Sequence, residues 1–187
     1  FVFSSSKASS LAIDKNKTNE ILQLHNMLIP RSLIITKMST EHNCTYPIII
    51  KPVDEGSSVG LFKCNNVDDY RNTLEKIFEK HNEMLVQEFV QGREFTCGVM
   101  EINGKGVALT PTEVIVGRDT FFDYNAKYND SGAREVTPPD IEGEMIHKIQ
   151  EVALSAHYAC GCKDISRTDM MMDEEGKFIV LEINTVP

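Results

Sequence analysis

The tightest constraint on this chain lies near its end, where "ISRTDMMMDEEGKFIVLEINTVP" sets two acids, Asp169 and Glu182, inside runs that otherwise look like buried strands. The segments "SRTDMMM" and "FIVLEINT" read as the arms of a hairpin that turns through Glu174, Glu175, Gly176 and Lys177. With that loop, Asp173 faces Phe178, Asp169 faces Glu182 and Arg167 faces Asn184. Side chains alternate along strands, so Arg167, Asp169, Glu182 and Asn184 share one face, while Thr168, Met170, Ile179, Leu181 and Ile183 take the other. A register slipped by one residue would mix polar and apolar groups on both faces, which disfavours it.

Carboxylates directly opposite one another repel, and more strongly as the local dielectric falls. A positive group is therefore expected between Asp169 and Glu182. An oxygen-only set of two carboxylates and the Asn184 amide, without His or Cys, suits a hard cation such as Mg2+ or Mn2+ better than zinc. The alternative is the solvated outer face of an edge hairpin.

The bulk numbers exclude several classes. At 187 residues, 41% hydrophobic and 25% charged, the chain has the composition of a globular protein of one or two domains. A net charge of -9 argues against a nucleic-acid or anionic-membrane partner. No apolar run approaches the ~18 residues of a membrane span, and a cytoplasmic location is expected. Cys44, Cys64, Cys97, Cys160 and Cys162 are expected to be reduced, buried and small. A first residue of Phe and a final Pro just after the acidic strand suggest a piece of a longer chain.

Hydrophobic periodicity predicts a helix over "SSLAIDKNKTNEILQLHNM", strands at "RSLIIT", "YPIIIKP" and "SVGLFKC", and a helix at "VDDYRNTLEKIFEKH". Strands follow at "MLVQEFV", "EFTCGVMEIN" and "GVALTPTEVIV", the last two joined around Asn103-Gly104, a strong hairpin turn. "RDTFFDYNAKYNDSGAREVTPPD" is a long polar loop of the kind that forms functional lids, and "IEGEMIHKIQEVALSAHYAC" is an amphipathic helix. The order is mixed rather than alternating, which implies α+β in two lobes, divided as 1–88 and 89–187.

"IIIKPVDEGSSVGLF" places Lys51 at the end of a buried strand and follows it with Gly56, Ser57, Ser58 and Gly60. Glycines let the backbone approach an anion, and serines add donors, so the loop can clasp phosphate. It is not a Walker A loop, because the lysine precedes the glycines. An ordinary hairpin turn would use the same residues.

In this order, "SSLAIDKNKT", "IIIKPVDEGSSVG", "VQEFVQGREFT", "FFDYNAKY" and "CKDISRTDMMMDEEGKFIVLEINTVP" resemble the ATP-grasp superfamily, and within it the D-alanine-D-alanine ligase branch. The resemblance implies an ATP-grasp fold with the nucleotide held between the antiparallel sheets of two α+β lobes. It implies ATP-phosphate contacts from Lys15, Lys51 and Lys127, with Ser58 in the loop folding over the phosphates. Adenine would meet the backbone of Gln87, Glu88 and Val90, and Glu94 would bind ribose hydroxyls. Two Mg2+ or Mn2+ ions would sit on Asp169, Glu182 and Asn184, the residues that strand parity selects. Arg167 would stabilise an oxyanion, while Ser57 and Tyr128 would help close the polar loop.

The implied reaction is ATP-dependent joining of two D-alanines through a D-alanyl phosphate, for cell-wall precursor synthesis. D-lactate, D-serine or another amino acid as acceptor is an alternative, as is a nucleotide-binding module without catalysis. Homodimers are frequent in the family. The family's amino-terminal lobe and the Gly-Met-Thr that follows "NTVP" lie outside this sequence, and Gln87 stands where an acid is common. The histidines are given no chemistry, Met170 to Met172 are read as packing, and Arg93 is read as a surface ion pair with Glu94.

Overall fold

The structure, a computed structural model, describes residues 3–55, 60–116 and 133–187. The chain divides into two compact units. One is made of Phe1–Ile29, Val90–Ile115 and Arg134–Pro187, and the other contains Pro30–Phe89. The first 29 residues thus group with the carboxy-terminal half rather than with the 1–88 segment expected from sequence. The reason is packing: helices α1 (Ser6–Ile13) and α2 (Lys15–Leu24) lie against α4 (Gly143–Ala159) and β10 (Phe178–Asn184), burying Ala12 and Leu22 with Ala156, Val180 and Ile183.

The single helix expected at the start is broken at Asp14. Its extended backbone ends α1, and its carboxylate accepts a hydrogen bond from the Lys17 amide at 3.1 Å, so one residue closes the first helix and caps the second. The Leu11 carbonyl at the break accepts two hydrogen bonds, from the Asp14 amide at 3.1 Å and from the Thr18 hydroxyl at 2.7 Å.

In the unit holding Pro30–Phe89, strands β1 (Ser32–Thr36), β2 (Ile48–Pro52), β3 (Phe62–Cys64) and β4 (Glu83–Glu88) form an antiparallel sheet in the order β1-β4-β2-β3. One face packs Ile35, Ile48, Ile50, Met84 and Val86 against Tyr70 and Ile77 of α3 (Val67–Ile77). Asn66 caps that helix by accepting from the Asp68 and Asp69 amides, and Asp68 and Asp69 complement the helix dipole.

The other unit is built on a six-stranded sheet. Its path runs β10, then β9 (Ile165–Met172), β5 (Arg93–Ile102), β7 (Thr112–Val116) and β8 (Ala133–Val136), with β6 (Lys105–Ala108) paired to β5. The expected strand "GVALTPTEVIV" is two strands, because Pro111 interrupts it. Part of the expected loop is β8, which adds to the sheet beside β7. The sheet's core face carries Phe95, Cys97, Val99, Met170 and Phe178 onto Ile149 and Ala153 of α4. All five cysteines are free and buried. Among the described residues, no helix is long and apolar enough to cross a membrane.

Candidate active site

The β9–β10 pair carries the expected register at its polar end: Glu182 is the Cα partner of Asp169, and Asn184 of Arg167. Toward the turn the register shifts by one, with Phe178 opposite Met172 rather than Asp173. A bulge at Leu181 absorbs the difference, so Leu181 and Glu182 together oppose Asp169. The bulge inverts the expected parity of the turn-side half. Phe178, Val180 and Ile183 face the core, and Ile179 and Leu181 are only half-buried.

Asp169 is the hub of the polar face. Arg167, two residues earlier on the same strand, donates from Nε to Oδ1 at 2.9 Å and from Nη2 to Oδ2 at 2.9 Å. Thr96 on β5 donates to Oδ1 at 2.6 Å, and Asn184 Nδ2 donates to Oδ2 at 3.1 Å. A carboxylate offers about four lone-pair sites, and all are engaged. Arg167 is the positive group that the facing acids require. Hydrogen bonding to Asp169 raises its pKa, burial opposes the rise, and Glu182 and Glu135 add to it, so the guanidinium stays charged.

Cross-strand pairing extends this face into rows. Thr112, Thr96, Asp169 and Glu182 form one row across β7, β5, β9 and β10. Glu94 lies two residues from Thr96 on the same face of β5, paired with Met171 and Val114. Met170 is fully buried in the core while Met171 is half-buried on the Glu94 row, so the methionine run is divided between the two faces.

Arg93 pairs with Glu113 rather than Glu94, through two hydrogen bonds of 2.6 and 2.8 Å to a buried carboxylate. Thr96, Glu113 and Met171 carry no motif of their own. Only the pairing of distant strands brings Thr96 and Met171 to the polar face, whereas Glu113, the partner of Phe95, lies on the other face of the sheet.

Lys15 is the first residue of α2 and is buried. In the other unit, Lys51 and Gln87 share the sheet face opposite the α3 core: Lys51 pairs with Leu85, and Gln87 with Ile49 and Ser32. Both are buried. Lys63 pairs with Ile49 and places its ammonium 3.8 Å from the centre of the Phe89 ring. The Glu88 carboxylate accepts from the Thr45 amide at 3.0 Å and its own amide donates to the Arg31 carbonyl, both within the unit. Val90 is half-buried beyond the end of β4. Ser57, Ser58, Lys127 and Tyr128 lie outside the described residues.

Among the described residues there is no cluster of three or more His, Cys, Asp or Glu side chains around a common point. The available donors are the oxygens of Asp169, Glu182 and Asn184, which fit a hard divalent cation once the guanidinium leaves Asp169.

An α+β chain with antiparallel sheets, one of them presenting opposed carboxylates beside an amide and an arginine, has the fold of the ATP-grasp ligases. The similarity is specific. The chain belongs to the family described as D-ala D-ala ligase C-terminus, whose model matches residues 3–187. It is 35% identical over 197 residues to the D-alanine--D-alanine ligase of Leptospira interrogans, covering 96% of this chain and 55% of that protein. Against the enzyme of the same name from Rhizobium meliloti it is 36% identical over 190 residues, covering 96% and 60%.

Among solved structures, the VanG D-Ala:D-Ser ligase from Enterococcus faecalis matches with a TM-score of 0.88 and 30% identity, over 100% of this chain and 56% of that one. A D-alanine--D-alanine ligase from Bacillus anthracis matches with a TM-score of 0.83 and 30% identity, over 100% and 60%. The chain therefore spans little more than half the length of the relatives it matches.

Proposed function

We propose that this chain carries the ATP- and metal-binding part of a ligase that joins two D-alanines at the expense of ATP. The observation that carries the reading is the pairing of Asp169 with Glu182 beside Arg167 and Asn184 on one sheet face. In this reading Asp169, Glu182 and Asn184 hold divalent cations, Mg2+ or Mn2+, which neutralise charge on the transferring phosphoryl group. Lys15, Lys51 and Lys127 contact the ATP phosphates, with Ser58 covering them. Gln87, Glu88 and Val90 meet adenine through the backbone, and Glu94 takes the ribose hydroxyls. The position of Glu94 on the same sheet face as Thr96 and Asp169 supports its part.

The reaction has two steps. A carboxylate oxygen of the first D-alanine attacks the γ-phosphorus, its bond to the ADP oxygen breaks, and an acyl phosphate and ADP result. The amine of the second D-alanine then attacks the acyl carbon, and the tetrahedral intermediate expels phosphate as the amide forms. Arg167, kept charged by its carboxylate neighbours, stabilises the oxyanion of that intermediate, a role whose loss typically costs about 100-fold or more in rate. Ser57 and Tyr128 help close the polar loop, because an acyl phosphate open to water hydrolyses.

The match to a D-Ala:D-Ser ligase favours one second reading, in which the acceptor is D-serine. Incubating the full-length protein with ATP, Mg2+ and a panel of D- and L-amino acids, and following phosphate and dipeptide, separates the two. Dipeptide from D-alanine alone supports the first reading, and preferential D-alanyl-D-serine the second. Nucleotide binding without phosphate release under any combination overturns both.

A further inference from the structure

We infer that Thr96 is a positioning residue for the cation site, holding the Asp169 carboxylate in its ligating orientation when the metal displaces the other donors. This rests on the assignment of Asp169 as a metal ligand.

The argument begins with the four hydrogen bonds that Asp169 accepts. They are not equivalent. A divalent cation on Asp169 cannot share its oxygens with a bidentate guanidinium, because the two positive groups compete for the same lone pairs and repel. Asn184 now offers its amide nitrogen, the only part of an amide that a carboxylate can accept from, and as a ligand it must present oxygen instead. Both of these contacts are lost when the cation binds. Thr96 is different, since its hydroxyl is neutral and leaves the second lone pair of Oδ1 to the ion.

Its backbone also fixes it in place. Thr96 is the Cα partner of Asp169 across β5 and β9, and of Thr112 across β5 and β7, so its Cβ is held from both sides by sheet pairing. The short 2.6 Å hydrogen bond from Oγ1 matches a hydroxyl donating to a charged acceptor. A ligating carboxylate without such support rotates freely, and loss of a supporting hydrogen bond typically weakens metal binding.

Valine tests this, because it keeps the β-branched shape favoured in a strand and removes only the donor. Mn2+ affinity of the full-length protein is read by electron paramagnetic resonance without nucleotide, alongside the melting temperature. Thr96→Val is expected to weaken Mn2+ binding about tenfold, while Thr96→Ser retains it. In steady state, Thr96→Val raises the Mg2+ concentration for half-maximal rate more than it lowers kcat.

Asp169→Asn separates the inference from the assignment beneath it. If Asp169→Asn weakens Mn2+ binding and Thr96→Val does not, Thr96 has no positioning role. If neither variant changes the affinity, the assignment of Asp169 itself is wrong. If Thr96→Val and Thr96→Ser lose affinity equally, the effect is packing and the inference is overturned.

Discussion

Arg167 and Asp169 are joined by two parallel hydrogen bonds of 2.9 Å along one strand, so the residue proposed to stabilise an oxyanion is held by a residue proposed to bind metal. If Asp169 binds metal as proposed, the pair makes metal binding and arginine release one event. Arg167→Met removes the competing charge, and Mn2+ affinity without nucleotide is expected to rise on the order of tenfold, equivalent to about 1.4 kcal/mol. Ligase turnover is expected to fall at least about 100-fold. Titration followed by electron paramagnetic resonance checks the first, and phosphate release the second. Unchanged Mn2+ affinity would show that the guanidinium does not compete.

Gly92 enters β5 against the end of β9. A Cβ built on it would lie 2.0 Å from the Met172 carbonyl oxygen, and its φ of +156° is one that side chains rarely adopt. Backbone atoms cannot turn aside as a side-chain tip can. Gly92→Ala is expected to destabilise the protein by more than about 1 kcal/mol, read as a lower urea midpoint. A midpoint equal to the parent's would mean that the two strands can separate at this point without cost.

Phe95 is fully buried and meets Phe178 edge to face, with ring centroids 6.2 Å apart at 77°. It fills the space between the sheet and α4 on the core side of the strand that carries Thr96. Phe95→Ala is expected to cost ~3–5 kcal/mol, from lost burial and the cavity left behind. Equilibrium unfolding measures it, and a loss under about 1 kcal/mol would contradict this packing.

Burial pushes the Cys97 and Cys160 thiols up to about 12 and Cys162 to about 11, from an ordinary 9.0, and the Tyr70 phenol from 10.0 to about 12. The folded state keeps these protons after the unfolded chain has released them. Stability is therefore fully present below the unfolded values and is lost as pH rises through about 9 toward 12, with each group adding a slope of at most about 1.4 kcal/mol per pH unit. Urea midpoints measured under reducing conditions should decline over this window, and less steeply in Cys97→Ala. A flat profile would contradict the burial of these groups.

The register at the polar end of the last hairpin was legible in the sequence. Strand parity paired Asp169 with Glu182 and Arg167 with Asn184, because a two-residue period and an apolar core leave few registers. The same parity failed on the turn side of Glu182, at Ile179 and Leu181, since a bulge follows from three-dimensional fit and leaves no periodic signal. Asp14 looked like one more charge on a helix. Its extended backbone and double capping role depend on a break that the apolar spacing did not disclose.

The sequence by itself determined the α+β class, the polar face of the last hairpin and the residue types available for a hard cation, because these follow from local spacing and side-chain chemistry. Tertiary structure alone decided that Thr96 would hold Asp169 across 73 residues of chain, that Arg93 would choose Glu113 over its neighbour Glu94, and that the first two helices would join the carboxy-terminal half. Those choices arise from which strands lie side by side and which apolar surfaces are covered, and contacts between residues far apart in sequence leave no periodicity to read.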